Sequence, residues 1–456
     1  MESIKYLTDR IKEIRQAPPS RTKNVAINSL LVLVSKGLTL LISLVLLPLT
    51  VGYVSSEKYG VWITISSIAS WIAIFDLGLG NGLKNKYIEC VANGNRIKAQ
   101  RYVSTTYAML SFIFIPLLLV FLLINSFLDW KSILNVYVDE DLNKIFAIVM
   151  AYVSFNFILS TINIVLMAEQ KPGESSIRQL IQQILVLLTI FVLTKTTKGS
   201  LLYLCLSLCI VPLAVCLFFN ISLFSTRYKS VRPSIKMVDF SLLKELFGLS
   251  FKFFFLQSVA LVLFQLTNII IIRYYSAEDV TLYNVAYKYF SVPTVFFAAI
   301  VTPIWAAVTE AHNKGDNIWI RKTLRRYSFI LGGFIFSEII MLVICNQIYH
   351  LWMRETIPEI SFVVSAFCML GAVATMVPSL FVNTLCGAGY LRLQLVFCIF
   401  SPLIFLGLSF LFIRVFHLGV YCILMASLLA NIYGVVVAPI QCYKVFYKNK
   451  KGIWIK

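Results

Sequence analysis

The chain has 456 residues, 59% of them hydrophobic and only 13% charged, with a mean hydropathy of +0.84 and a formal charge of +19. A soluble domain carries about 25% charged residues, so this composition excludes a water-soluble globular protein. The apolar residues come in runs of about 18 or more, each long enough to cross a hydrocarbon core of about 30 Å as a helix. The expected fold class is an all-α polytopic membrane protein.

The first predicted span is Val25–Thr50. The segment before it, 1–24, is too long and polar for a cleavable signal peptide. Tyr59–Leu83, Tyr102–Asn125, Leu142–Met167, Ile177–Thr194 and Leu201–Ser225 complete a first group of six. The stretch 226–247, with Arg227, Lys229, Arg232 and Lys236, reads as a linker. Gly248–Arg273, Tyr283–Thr309, Tyr327–Leu351, Ile360–Leu385, Leu393–Phe416 and Gly419–Tyr443 form the second group, ahead of a basic tail, 446–456. The expected organisation is twelve transmembrane helices in two six-helix bundles, 25–225 and 248–445, around a central cavity.

Orientation follows from the cations. With the N-terminus cytoplasmic, one side collects Lys84, Lys86, Arg96, Lys98 and Arg101, the linker, Lys314, Arg321, Lys322, Arg325, Arg326 and the tail. The balance is about 29 Lys and Arg against about 8 on the far side, a strong positive-inside bias. Both termini are expected in the cytoplasm, with the chain in a bacterial inner membrane. Topology and anionic headgroups account for the net charge, and no nucleic-acid partner is implied. The ten cysteines sit mostly in apolar spans without histidine companions; they read as small buried hydrophobes. Neither a metal site nor a cofactor is expected.

The chain also repeats itself. Glu57, Glu89 and Gly94 recur as Glu278, Glu310 and Gly315, and 278 − 57, 310 − 89 and 315 − 94 are all 221. Six spans return the chain to its starting side, so the two halves share one orientation. That pattern describes parallel repeats related by an axis along the membrane normal, with a substrate site between them.

Residues Phe75 to Glu89 read FDLGLGNGLKNKYIE, with Gly78, Gly80 and Gly82 behind Asp76. A phosphate-binding loop needs a preceding strand and a βαβ unit, and here the glycines end an apolar span. Small residues let helices approach closely, and Asn81 beside glycine has the chemistry of a helix end. Asp76 is placed to bond a neighbouring helix terminus or Lys84. The longer stretch FDLGLGNGLKNKYIECVANGNRIKAQRYVSTTYAML, Phe75 to Leu110, resembles bacterial polysaccharide flippases of the O-antigen translocase type. These belong to the superfamily of multidrug/oligosaccharidyl-lipid/polysaccharide exporters. The resemblance implies alternating-access movement of an undecaprenyl-diphosphate-linked glycan to the outer leaflet, through a cationic cavity between two bundles. It implies membrane lipids and other polysaccharide-assembly membrane proteins as partners.

Ionisable residues inside spans are the independent test, because each costs about 2.5–3.5 kcal/mol at mid-bilayer on insertion scales. Lys36 lies deep in the first span, with Ser29 and Ser43 on its helical face; Lys288 lies in the eighth and Lys252 near the start of the seventh. Lys36 and Lys288 are expected at a hydrated cavity as diphosphate ligands, whereas Lys252 can instead snorkel to the interface. Gln265 and Asn268 in the seventh span, and Asn156, Ser160 and Asn163 on one face of the fourth, are candidates for sugar hydroxyls or for interhelical bonds. Glu338, mid-way through the ninth, either pairs with a lysine or carries a coupling proton.

Two rivals remain. A drug or cation antiporter of the same superfamily needs carboxylates rather than lysines in its central spans. A membrane glycosyltransferase or glycan polymerase needs a metal or base site, for which Asp139-Glu140-Asp141 is the candidate. That outer loop is short, and His312, His350 and His417 lack catalytic partners, so a transporter rather than an enzyme is expected.

Overall fold

The computed structural model describes residues 21–71, 79–169, 171–247, 265–302, 304–354, 356–390, 392–448, 450 and 452–454. Among them the regular elements are all helical. In the first half they are α1 (Arg21–Val54), α2 (Ser56–Ser70), α3 (Leu79–Ala92), α4 (Arg96–Asn125), α5 (Trp130–Leu134), α6 (Leu142–Leu159), α7 (Thr161–Ala168), α8 (Pro172–Thr196) and α9 (Leu201–Ser225). The connecting α10 (Leu243–Phe247) precedes α11 (265–274), α12 (Ala277–Val301), α13 (Ile304–Asn313), α14 (Asn317–Val343), α15 (Cys345–Met353), α16 (Phe362–Gly387), α17 (Arg392–Arg414), α18 (Tyr421–Ala430) and α19 (Ala438–Cys442). Nine spans among the described residues are long and apolar enough to cross a membrane, and a bent pair ending at Tyr447 makes a tenth. The second and seventh predicted spans lie partly outside the described residues. The chain is a multi-pass membrane protein.

Three spans differ from expectation in continuity. The fourth, Leu142–Ala168, remains a single span but carries a one-residue irregularity at Ser160, whose hydroxyl bonds the Phe157 carbonyl. The ninth breaks at Ile344, between α14 and α15. The twelfth bends by 51° between α18 and the π-helical turns on either side of α19. The Gly-Asn-Gly stretch is also corrected: it does not end a helix. Asn81 and Gly82 lie inside α3, which runs on from Leu79 to Ala92.

The repeat is built into the backbone. Gly94 and Gly315 both adopt positive φ, +70° and +72°, where glycine carries no Cβ penalty. Asn95 N bonds Cys90 O, as Asp316 N bonds Ala311 O. Asn95 then caps α4 through Lys98 N, as Asp316 caps α14 through Trp319 N. Ser55 and Ser276 cap α2 and α12 in the same way, through Lys58 N and Asp279 N. Each pair is 221 residues apart (315 − 94, 316 − 95, 276 − 55).

The bundle therefore has two ends, here called the Ser55 end and the Gly94 end. The repeated helices α2 and α12 pack directly on each other at the Ser55 end. Thr281 Oγ1 donates to Ser56 O at 2.6 Å, while a Cβ on Gly60 would lie 1.7 Å from Ala277 O. The pairs are reciprocal, since 277 − 56 and 281 − 60 both equal 221. This is the signature of an approximate two-fold axis between the halves.

Candidate functional site

The seam between the halves is polar in places. Beyond the α2–α12 junction, Asn268 Nδ2 on α11 donates to Ser67 Oγ on α2 at 3.0 Å, and Trp352 Nε1 on α15 donates to Leu44 O on α1 at 2.7 Å. Together with the Thr281–Ser56 bond, these join the two halves. All lie between the Ser55 end and the middle of the bundle.

A cavity of about 300 Å³ opens along this seam. The first half contributes Ser43, Thr50, Tyr59, Trp62 and Gln183; the second contributes Asn284, Tyr287 and Lys288. Lys288, half-buried, lines this cavity. Lys36 is exposed. It stands two turns before Ser43 on the row of α1 that includes Leu47 and Thr50, all of which line the cavity. Val34, Leu38, Leu41 and Val45 are exposed on the opposite side of α1, where Leu41 and Val45 line a second cavity with Trp352 and Thr356. Lys288 lines the cavity, and Lys36 lies on the row of α1 that leads to it.

The other expected polar residues divide. Asn268 is 3% exposed, and between its bonds to Ser67 and Asn284 it serves as a bridge across the seam. Gln265, one turn earlier, is half-buried. Asn156 is half-buried on α6, and Asn163 follows the irregularity at Ser160, on α7. There Asn163 Oδ1 accepts from Ser175 Oγ and from Arg178 Nε. Asp76, Gly78 and Lys252 lie outside the described residues.

Glu338 sits in α14 with no exposed surface, and neither carboxyl oxygen has a hydrogen-bond partner. It forms no ion pair among the described residues; Lys252, a lysine of the neighbouring predicted span, lies outside them. Tyr289 on α12, adjacent in sequence to Lys288, faces the same region and bonds Met341 O on α14.

The recognisable stretch around Gly82 is a clasp. A Cβ on Gly82 would lie 2.0 Å from Leu246 O, so only glycine lets α3 and α10 meet. Tyr102 donates to Glu245, Lys86 lies 3.6 Å from the same carboxylate, and Gln100 donates to Arg232 O. Ser104 and Thr105 accept from the backbone of Ser234 and Asp239. Burial at the Tyr102 and Lys86 contacts does not free Glu245: the Tyr102 hydrogen bond holds its carboxyl below the usual range. Tyr87 and Arg96 both bond Glu169, at 2.8 and 2.6 Å, tying α3 and α4 to the end of α7. The stretch thus fastens the linker and neighbouring loops to the first half.

The acidic triplet is likewise structural. Glu140 pairs with Lys58 at 3.2 Å and accepts from Leu201 N, and Asp141 caps α6. All ten cysteines are free, and no group of three metal ligands occurs among the described residues. Sequence reasoning missed Arg178, which is 5% exposed. It also missed Gln183, Asn284 and Tyr287, whose place at the cavity depends on which helices face each other.

A family model described as "Polysaccharide biosynthesis protein" matches residues 24–307. A protein of Salmonella typhi described as "Putative O-antigen transporter" is 23% identical over 297 residues, 65% of this chain and 67% of that one. Among solved structures, the inward-facing form of a multidrug resistance MATE family transporter of the MOP superfamily superposes with a TM-score of 0.69 at 13% identity. That match covers 93% of this chain and 96% of the other. The outward-facing form gives 0.64 over 94% and 97%. A MOP superfamily transporter from Pyrococcus furiosus, described by the reverse polarity of its binding pocket, also gives 0.64 at 13% identity, over 94% and 97%.

Proposed function

The chain belongs to the polysaccharide biosynthesis protein family, a transporter of the MOP superfamily and not an enzyme, and from that premise we propose that it flips an undecaprenyl-diphosphate-linked oligosaccharide from the cytoplasmic to the outer leaflet by alternating access. The Gly94 end, with its loops of Lys and Arg, faces the cytoplasm of a bacterial inner membrane. Residues 25–225 and 248–445 act as the two moving bundles.

The observation that carries this reading is Lys288 at the cavity between the halves, with Lys36 on the row of α1 that leads to it. A lipid diphosphate bears about two negative charges and leaves its water when it enters the bilayer. Fixed ammonium groups replace that water with charge-assisted hydrogen bonds and offset part of the desolvation cost. The polyprenyl tail stays in lipid while the sugars ride in the polar seam, where Gln183, Asn284 and Tyr59 supply donors and acceptors. A membrane potential negative inside favours outward movement by about 2.3 kcal/mol per charge per 100 mV. A drug–cation antiporter would place carboxylates at this cavity, and among its lining residues the charged group is a lysine.

Glu338 supplies the coupling group. An ionised carboxylate shut away with neither counter-ion nor donor costs several kcal/mol, so it holds a proton when buried and releases it when α14 opens to water. Tyr289 links α14 to the helix that carries Lys288.

The test is flipping of a fluorescent short-chain polyprenyl-diphosphate glycan in proteoliposomes. Lys288→Gln is expected to lower the rate by at least about tenfold, the loss of one charge-assisted contact, with normal insertion. Unchanged flipping by both Lys288→Gln and Lys36→Gln would remove the lysines from the cargo path.

A further inference from the structure

α1 stands between two cavities. One face borders the seam with Lys288; the other, with Leu41 and Val45, borders a larger space of about 760 Å³. Leu188 and Phe191 of α8 form its second wall, and Trp352 of α15 with Arg354 and Thr356 forms the third. Two walls therefore belong to the first half and one to the second. Leu41, Val45, Leu188 and Phe191 are all at least half exposed, an apolar surface that hydrocarbon satisfies.

The third wall is fastened by a hydrogen bond that a proline makes possible. Pro48 of α1 has no N–H for the carbonyl of Leu44, four residues earlier. That carbonyl accepts from Trp352 Nε1 instead, at 2.7 Å, across the two halves. The groove is complete only while the halves meet at the Ser55 end, because parting them takes Trp352 away from α1.

Charge is confined to one end of this groove. Arg354 ends α15 in the left-handed region, φ +45°, where glycine or asparagine usually stands. It is exposed and carries a guanidinium to the mouth of the groove. Lys195, also exposed, stands one turn beyond Phe191 on the same row of α8. Glu355, the residue after Arg354, lies outside the described residues. An apolar slot with cations at its mouth complements an acyl chain that hangs from a phosphate at the membrane surface.

We propose that this groove binds an anionic glycerophospholipid, with one acyl chain between α1, α8 and α15 and the phosphate at Arg354 and Lys195. With the Gly94 end cytoplasmic, the groove opens to the outer leaflet. The lipid touches both halves, so it binds more tightly when the Ser55 end is shut than when that end has parted. It therefore shifts the population toward the shut form. The site needs no cargo and stands apart from the flippase reading.

The experiment places the full chain in phosphatidylcholine nanodiscs with a photoactivatable phosphatidylglycerol, its reactive group on an acyl chain, and locates the label by mass spectrometry. Phe400 and Leu403 of α17, exposed to a similar degree, report ordinary lipid contact. The groove is expected to be labelled at least about fivefold more by phosphatidylglycerol than by the matching phosphatidylcholine probe, the discrimination that one cation gives an anionic headgroup. Arg354→Gln combined with Lys195→Gln should lose that preference. Leu188→Trp, which fills the groove, should lower its labelling by both probes and leave α17 unchanged. Unlabelled phosphatidylglycerol should also narrow the distance distribution between spin labels at positions 58 and 278 in the parent but not in the double variant. Equal labelling of the groove and α17 overturns the site, and equal labelling of the groove by the two probes overturns its choice of an anion. Labelling by a photoactivatable short-chain polyprenyl diphosphate alone would give the groove to the cargo's tail and overturn the phospholipid. An unchanged distance distribution in the parent would overturn the population shift.

Discussion

The two halves share a backbone plan but not a charge plan. The first half shuts in a cation, Arg178, and the second shuts in an acid, Glu338. They do not meet: Arg178 bonds two neutral side chains of its own half, and the Glu338 carboxyl has no hydrogen-bond partner among the described residues. The repeat does not carry either charge across. The residue 221 before Glu338 is Leu117, in the matching helix α4, and α17, which follows α16 as α8 follows α7, has no Asp, Glu, Lys, Arg or His between Arg392 and Arg414. Two opposite charges left apart do little for stability, since removing both is often neutral or favourable. Under the proposed function the acid of the second half serves a visitor instead, a proton.

The largest effect should come from breaking the symmetric contact on which both halves turn. Gly60→Ala places a Cβ against the Ala277 carbonyl, which backbone cannot avoid without α2 and α12 separating. The expected cost is about 1–3 kcal/mol, seen as a lower thermal midpoint and a longer distance between spin labels at positions 58 and 278. Gly332→Ala, with open space around it, should change neither. An unchanged label distance in Gly60→Ala would mean that the seam described here is not the contact that holds the halves together.

A smaller effect is expected at the linker clasp. The Tyr102 hydrogen bond, then the charges of Lys98 and Lys86, hold the Glu245 carboxyl below its usual range. Its stabilising contribution is therefore fully present above the ordinary glutamate value of about 4.3 and is lost as pH falls through the lower folded value. The group is largely solvent-facing, so the contribution stays within about 0.2–1 kcal/mol. The parent should lose slightly more thermal midpoint between about pH 6 and about pH 3.5 than Glu245→Gln. Equal losses would assign the acid sensitivity to other carboxylates.

Much of the frame was legible in the sequence because hydrocarbon imposes a simple rule: apolar runs of sufficient length become helices. The offset of 221 was legible too, since glycine and its capping partners recur wherever a helix must stop. Partnership was not legible. Arg178 stands beside a predicted span end at Ile177, where a cation reads as a surface residue. Its helix begins at Pro172, which carries it inside. Glu338 was visible as a charge in a span, but whether a lysine faced it depended on helix packing. Asn163 was expected to share a face with Asn156, and that it also accepts from Arg178 depended on how α8 packs. In the glycine-rich stretch, local chemistry pointed to a helix end at Asn81; the close approach of Leu246 is the tertiary reason that Gly82 is there.

The most direct measurement is transport under an imposed proton gradient. In proteoliposomes carrying a short-chain polyprenyl-diphosphate glycan, acid on the outer side should speed outward flipping by the parent several-fold. Glu338→Gln should insert normally and flip at a basal rate that the gradient leaves unchanged. A Gln variant accelerated as much as the parent would show that the buried acid of the second half carries no coupling proton.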